Sequence, residues 1–254
     1  MSPVTFTKPY ATREGLEQAV THHAWLTEHA HPLRLPPIMG VRAGHIDFAL
    51  IKGRHAELVD VPTVAAALGQ AHAAAWASDL HRARLTAAHP LPGGRELADF
   101  VSPRVAALRR RHEAGLATRD ELAALQPLLE PAPAAPVAFY KDTNPRNVLI
   151  TASGEPVMVD FDDLTLAPFG YDLAKLLVTL AMTHGLIPPE ALTTALAGYN
   201  QPLADAGLMP VSLTQFLGHA DLHHLLTLPY LGRGGYRHPW PTVRPTLDTL
   251  EDLR

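Results

Sequence analysis

The sequence predicts an α+β protein with a small mixed front end and a larger, mainly helical back end that carries a β-hairpin. Three observations predict it. The first sixty residues read as strand, helix, strand. Stretches with helical apolar spacing dominate from Val61 onward. Two apolar runs, 148–151 and 156–159, are joined by a turn at Ala152-Ser153-Gly154 and interrupt the helices.

Taken in order, residues 4–10 alternate as a short strand, and Thr12 is placed to cap a helix with Glu14 in its first turn and Leu16, Val20 and Ala24 on one side. Pro32 and Pro36-Pro37 break the chain. A short strand follows near 38–41 and another at 46–51, which Gly53 is expected to end. Pro62 opens a long helix with Val64, Leu68, Ala71 and Ala75 along one side. Helical patterns recur at 97–112 and 119–129, and the proline-rich segment 130–136 reads as a stiff connector. After the hairpin, helices are expected at 171–183, 189–199 and 213–226.

Composition narrows the function classes. The chain has 254 residues, 47% of them hydrophobic and 18% charged, which suits a folded core and excludes a disordered chain. A net charge of −4 gives no electrostatic reason to expect nucleic acid as a partner. With no cysteine, disulfides, thiolate nucleophiles and cysteine zinc sites are excluded. The N-terminus shows no secretory pattern, and the longest apolar stretch, 173–182, contains Lys175 and is too short to span a bilayer. A cytoplasmic protein with no membrane partner is the expectation.

The chemistry concentrates between Phe139 and Asp172. In Phe139-Tyr140-Lys141-Asp142-Thr143-Asn144-Pro145-Arg146-Asn147, an Asp and an Asn five positions apart lead into the first strand of the hairpin. The second strand delivers Asp160 thirteen residues after Asn147, in Val159-Asp160-Phe161-Asp162-Asp163. A hairpin of these lengths brings Asn147 and Asp160 to one end of its two strands. A carboxylate and an amide there are the hard oxygen ligands that Mg2+ on nucleotide phosphates requires. Asp142 would then face a substrate hydroxyl and accept its proton. Turn chemistry and helix capping account for each residue singly, but not for the joint pattern.

This stretch resembles the catalytic core of the aminoglycoside phosphotransferase and choline kinase-like family, whose signature is H-G-D-x-x-x-x-N followed by a hairpin and an acidic strand end. Gly170-Tyr171-Asp172-Leu173-Ala174 resembles the family's Y-D-L-A helix start, and Leu68-Gly69-Gln70-Ala71-His72 its helix with a buried His. The resemblance implies a two-lobed protein-kinase-like fold. Residues 1–60 would form a truncated nucleotide-binding lobe, and 61–254 a helical catalytic and substrate-binding lobe. It implies ATP or GTP and Mg2+ as cofactors and a small hydroxylated acceptor, antibiotic or metabolite. Asp142 would be the catalytic base, with Asn147, Asp160 and Asp162 as metal ligands. Lys8 would pair with the phosphates and with Glu17 on the next helix, and Ile51 and Lys52 would lie at the adenine hinge. Lys141, Asn144, Asp163, Asp221 and His223 are the acceptor-side candidates, and His72 and Asp172 are supports.

The pattern departs from the family in three places. Tyr140-Lys141 replaces His-Gly, Glu17 is an imperfect match for Lys8, and the strands and glycine-rich flap that cover the phosphates have no counterpart before Lys8. These departures keep open a degenerate kinase fold that binds a ligand without chemistry. His219, His223 and His224 have helical spacing that could chelate a metal, although core or pocket positions are the preferred reading.

Overall fold

The computed structural model describes residues 4–251. The front end is a three-stranded antiparallel sheet in the order β1-β3-β2, built from β1 (Thr5–Pro9), β2 (Ile38–Arg42) and β3 (His45–Ala49). Between β1 and β2 runs α1 (Arg13–His29). Thr12, in extended conformation, caps it by accepting the Gly15 N–H at 3.1 Å. The helix turns Leu16, Ala19, Trp25 and Leu26 inward.

Gly53 does not end a strand. It begins β4 (Gly53–His55), which pairs with the hairpin strand β8 (Val148–Thr151), itself paired with β9 (Pro156–Met158). A Cβ on Gly53 would lie 2.7 Å from the Ile150 carbonyl oxygen, so this close pairing requires glycine.

α2 (Val61–Ser78) is followed by a small hairpin, β5 (His89–Leu91) and β6 (Arg95–Leu97), turned at Pro92-Gly93-Gly94, where both glycines take positive φ. Then come α3 (Val101–Glu113), α4 (Arg119–Leu129) and β7 (Val137–Tyr140). After the β8–β9 hairpin, β10 (Thr165–Pro168) pairs with β7. The chain continues through α5 (Tyr171–His184), α6 (Pro189–Asp205), α7 (Leu213–Thr227), α8 (Trp240–Val243) and α9 (Leu247–Glu251).

α5 is buried on all sides from Tyr171 to Met182, as a central helix is, with Asp172 and Lys175 the two charged residues in that span. α2 and α6 flank it and touch at Gly69, where a Cβ would come within 2.2 Å of the Tyr199 carbonyl oxygen. One apolar cluster gathers α2, α5, α6 and the hairpin. A second joins α1, β3, β7, Phe161 and Tyr171, so the front sheet is joined to the β7 segment and to Phe161 by apolar packing. Among the described residues no helix is long and apolar enough to cross a membrane.

Candidate active site

Two aspartates stand at the ends of short strands in the left-handed backbone region: Asp142 after β7, with φ 57°, and Asp160 after β9, with φ 59°. Among the described residues no other non-glycine has positive φ. Each such residue costs on the order of 1–2 kcal/mol and persists only where its surroundings over-determine it.

The restraints on Asp142 come from three directions. Its carbonyl accepts from the Asn144 N–H (2.6 Å) and from Asn147 Nδ2 (2.9 Å). The residues on either side are held by Asp172 in the first turn of α5, which is fully buried. Its carboxylate accepts from the Lys141 N–H (3.3 Å), the Thr143 N–H (3.2 Å) and Thr143 Oγ1 (2.7 Å). Asp142 Oδ1 receives the Tyr140 hydroxyl at 2.9 Å and lies 3.3 Å from Lys175 Nζ.

Asp160 is held by the front sheet. Lys8 Nζ sits 2.8 Å from Asp160 Oδ1 and 2.7 Å from Asp162 Oδ2, and the Tyr10 hydroxyl donates to Asp162 Oδ1 at 3.2 Å. Burial opposes the Lys8 charge, but the two carboxylates outweigh it and raise its pKa. Between the two acids Phe161 turns into the core, and its carbonyl accepts from His22 Nδ1 on α1 at 3.1 Å.

The hairpin register sets Val148 opposite Met158, and the Val159 N–H donates to the Asn147 carbonyl at 2.9 Å, so Asn147 lies across from the residue that precedes Asp160. Asn147 spends its amide N–H on Asp142, which leaves its side-chain oxygen as an acceptor. Beside these groups opens a cavity of about 450 Å³ between the front sheet and the hairpin, mainly apolar and lined by Phe6, Phe48, Leu50, Ile51, Leu149 and Phe161, with Lys8, Asp160 and Asp162 at one edge. An apolar slot ending in charged groups suits a planar base with a phosphate tail.

The donor set fits a hard cation: two carboxylates and an amide oxygen, with a lysine ammonium seated on both carboxylates as a stand-in positive charge. Among the described residues no cluster of three or more His, Cys, Asp and Glu side chains could hold a metal.

The model of the phosphotransferase enzyme family matches residues 8–210, most of the chain. The chain belongs to that family. Solved structures share its fold at low identity. A macrolide 2'-phosphotransferase from Brachybacterium faecium is 15% identical with a TM-score of 0.57, over 94% of this chain and 84% of that one. The choline kinase of Streptococcus pneumoniae is 15% identical at TM-score 0.55, over 99% and 83%. A putative fructosamine-3-kinase from Thermobifida fusca is 18% identical at 0.55, over 98% and 85%. The fold is thus protein-kinase-like. No curated protein matches the chain.

Against the expectations drawn from the family signature, four side chains are placed differently. Glu17 does not meet Lys8. It is taken by Arg13 at 2.6 Å and by Arg95 of the β5–β6 hairpin at 2.8 Å, because Arg95 reaches α1 and Lys8 finds two nearer acids. Lys141 does not face an acceptor. It is 1% exposed, its Nζ has no hydrogen-bond partner, and burial lowers its pKa. His223 is likewise enclosed, stacked on Tyr171 at 4.1 Å, with burial holding its pKa well below the usual value. Asp221 is engaged by Arg244 (2.6 and 2.7 Å) and by Trp240 Nε1 (2.8 Å), so it offers no free carboxylate.

Asn144 caps the turn of the loop by accepting the Arg146 N–H at 3.0 Å and lines a second cavity of about 370 Å³ with Arg146, Thr179, Thr183 and Tyr236. Asp163 is exposed and lines a third cavity with Glu14 and Arg95. Ile51 lines the first cavity, and Lys52 is exposed beyond it. His72 is buried beside Phe139, with its Nδ1 taking the Tyr199 hydroxyl at 2.7 Å. That hydroxyl also accepts the Gly170 N–H at 2.8 Å. Gly170, at φ 82°, is the N-cap of α5, so Asp172 is free to serve the loop.

Sequence reasoning missed Tyr10, Tyr140 and Lys175 as groups touching the acidic residues, and His22 as the group that holds the Phe161 carbonyl between two of them. Only Tyr140 lay inside the family signature, Lys175 falling one residue past the Tyr171–Ala174 helix start, and nothing in their spacing shows that both converge on one oxygen of Asp142.

Proposed function

We propose that the chain is a magnesium-dependent O-phosphotransferase that moves the γ-phosphoryl group of ATP or GTP to a hydroxyl of a small molecule. The single observation that carries this reading is the convergence of Lys8 on Asp160 and Asp162 at the edge of the 450 Å³ cavity, with Asn147 across the hairpin. Residues 1–60 supply most of the walls for the nucleotide, and 61–254 carry Asp142 and the acceptor side.

Asn147, Asp160 and Asp162 would hold the magnesium ion, which neutralises phosphate charge as the γ-phosphoryl group departs. Lys8 turns from the two acids to the phosphates. Asp142 orients the acceptor hydroxyl and takes its proton while the acceptor oxygen bonds to phosphorus and the bond to the β-phosphate oxygen breaks. Phosphoryl transfer asks little covalent chemistry of a protein, so positioning and electrostatics account for most of the rate.

The acceptor seat is the 370 Å³ cavity, which starts at Asn144 and follows α5. Lys175, beside Asp142, is one turn from Thr179 and two from Thr183, both of which line it. Its walls offer neutral hydrogen-bonding groups and two arginines, Arg54 and Arg146, with Glu57 as the one acid. Since Asp221 is occupied by Arg244 and Asp172 is buried, a polycationic acceptor such as an aminoglycoside lacks the carboxylates it needs. A neutral polyol-like or hydroxylated metabolite fits better.

The test is nucleoside diphosphate release with a panel of neutral polyols and cationic aminoglycosides. Asp142→Asn is expected to lower turnover by about 10²–10⁴-fold with nucleotide affinity kept. Wild-type turnover in that variant overturns the assignment of the base. The absence of nucleotide binding at millimolar concentration, with or without magnesium, favours a ligand-binding relic of the fold.

A further inference from the structure

We infer that Tyr140 and Lys175 are positioning residues that pin Oδ1 of Asp142, leaving Oδ2 as the oxygen that receives the acceptor's proton. The inference rests on Asp142 being the proton acceptor and goes beyond it by naming which oxygen acts and what aims it.

Both groups approach the same atom. The Tyr140 hydroxyl donates to Oδ1 at 2.9 Å from the end of β7, and Lys175 Nζ stands 3.3 Å from it on α5. Neither arrangement is an accident of a mobile surface. The side chain of Lys175 is 9% exposed, and that of Asp142 is 45% exposed, so the pair sits at the floor of the site with the carboxylate rising from it. The Tyr140 ring is itself fixed, packed edge-on to Tyr171 at 5.1 Å and lying under the Arg104 guanidinium at 5.3 Å.

A carboxylate held only by its backbone can spin about its last bond and present either oxygen. Two donors on one oxygen fix the plane and direct the other oxygen outward. α5 therefore aims the base twice: Asp172 fixes the backbone of the loop through Lys141 and Thr143, and Lys175 fixes the carboxylate one turn later. In the step itself the acceptor O–H proton passes to Oδ2, the new O–P bond forms, and the nucleoside diphosphate leaves with the former bridging electrons.

The experiment uses the full chain and magnesium-ATP, with water as the acceptor, and compares Lys175→Met, Tyr140→Phe and each of these on an Asp142→Asn background. Loss of aim is expected to lower kcat by about 10–100-fold in Lys175→Met and by a smaller factor in Tyr140→Phe, with KM for ATP within about twofold. On the Asp142→Asn background neither variant should lower the rate further, because both act through the group already removed. Wild-type kcat in both single variants, while Asp142→Asn is inactive, overturns the positioning role alone. Full activity in Asp142→Asn overturns the base assignment beneath it. A crystal structure of Lys175→Met gives a readout that needs no turnover: the Asp142 carboxylate should rotate away from its wild-type plane, and an unmoved carboxylate overturns the inference.

Discussion

Replacing Asp172 with asparagine removes the charge that ties the loop carrying Asp142 to α5 while keeping the shape. The aspartate is fully buried and accepts three hydrogen bonds, from two backbone N–H groups and the Thr143 hydroxyl. Bonds to a charged acceptor contribute about twice as much as neutral ones, and a buried donor left without a partner costs about 1–3 kcal/mol. An asparagine keeps one acceptor oxygen and turns an NH2 toward at least one donor, so about 2–4 kcal/mol of stability should be lost. That is a large share of the 5–15 kcal/mol typical of folded proteins. Urea unfolding followed by the fluorescence of Trp25, Trp76 and Trp240 measures it. Thr143→Val added to the variant should then cost less than it does alone, since its partner is already compromised. An Asp172→Asn protein within about 0.5 kcal/mol of wild type, the range of ordinary surface changes, would refute the buttress.

Gly69→Ala should destabilise by about 3 kcal/mol or more, since its Cβ would fall 2.2 Å from the Tyr199 carbonyl oxygen and force α2 and α6 apart; a melting temperature equal to wild type would contradict that packing. His219 is buried with its pKa pushed down to about 4 from the usual 6.5, so the fold favours the neutral ring: its stability contribution is complete above pH 6.5 and is lost as pH falls from there to about 4. Over that window it amounts to about 3 kcal/mol, and His219→Leu should flatten the acid limb of the urea midpoint against pH. Lys8→Met frees Asp160 and Asp162 of their ammonium, so Mn2+ should bind the nucleotide-free protein about fivefold more tightly, a change of about 1 kcal/mol, while nucleotide binding weakens. Unchanged Mn2+ affinity would show that Lys8 does not compete for that position.

The parts of the fold that were legible in the sequence are those specified locally. Thr12 and Pro62 announced the starts of α1 and α2, and the paired apolar runs around Gly154 announced the β8–β9 hairpin together with the Asp-x-x-x-x-Asn loop and Asp160. What stayed hidden is non-local. β7 and β10 are four-residue strands whose pairing joins segments 25 residues apart or more, with no turn between them to betray it. Gly53 reads as a terminator in one dimension, yet it is the point where β4 can approach the Ile150 carbonyl closely enough to pair. The partner of Glu17 could not be read from helical spacing, because Arg95 arrives from a hairpin 78 positions away. Lys141 reads in the sequence as a cation beside Asp142, but just past β7 its side chain is buried, 1% exposed, with no hydrogen-bond partner on its ammonium. The cation that does reach Asp142 is Lys175, which the sequence shows only as a charge within an apolar helix.

The most direct measurement of the phosphoryl-transfer account is a calorimetric titration of ATP into the wild-type protein and Asp160→Ala, each with and without magnesium. Binding that needs magnesium in the wild type and disappears in Asp160→Ala is the predicted result. Heats that are the same in all four titrations would contradict it.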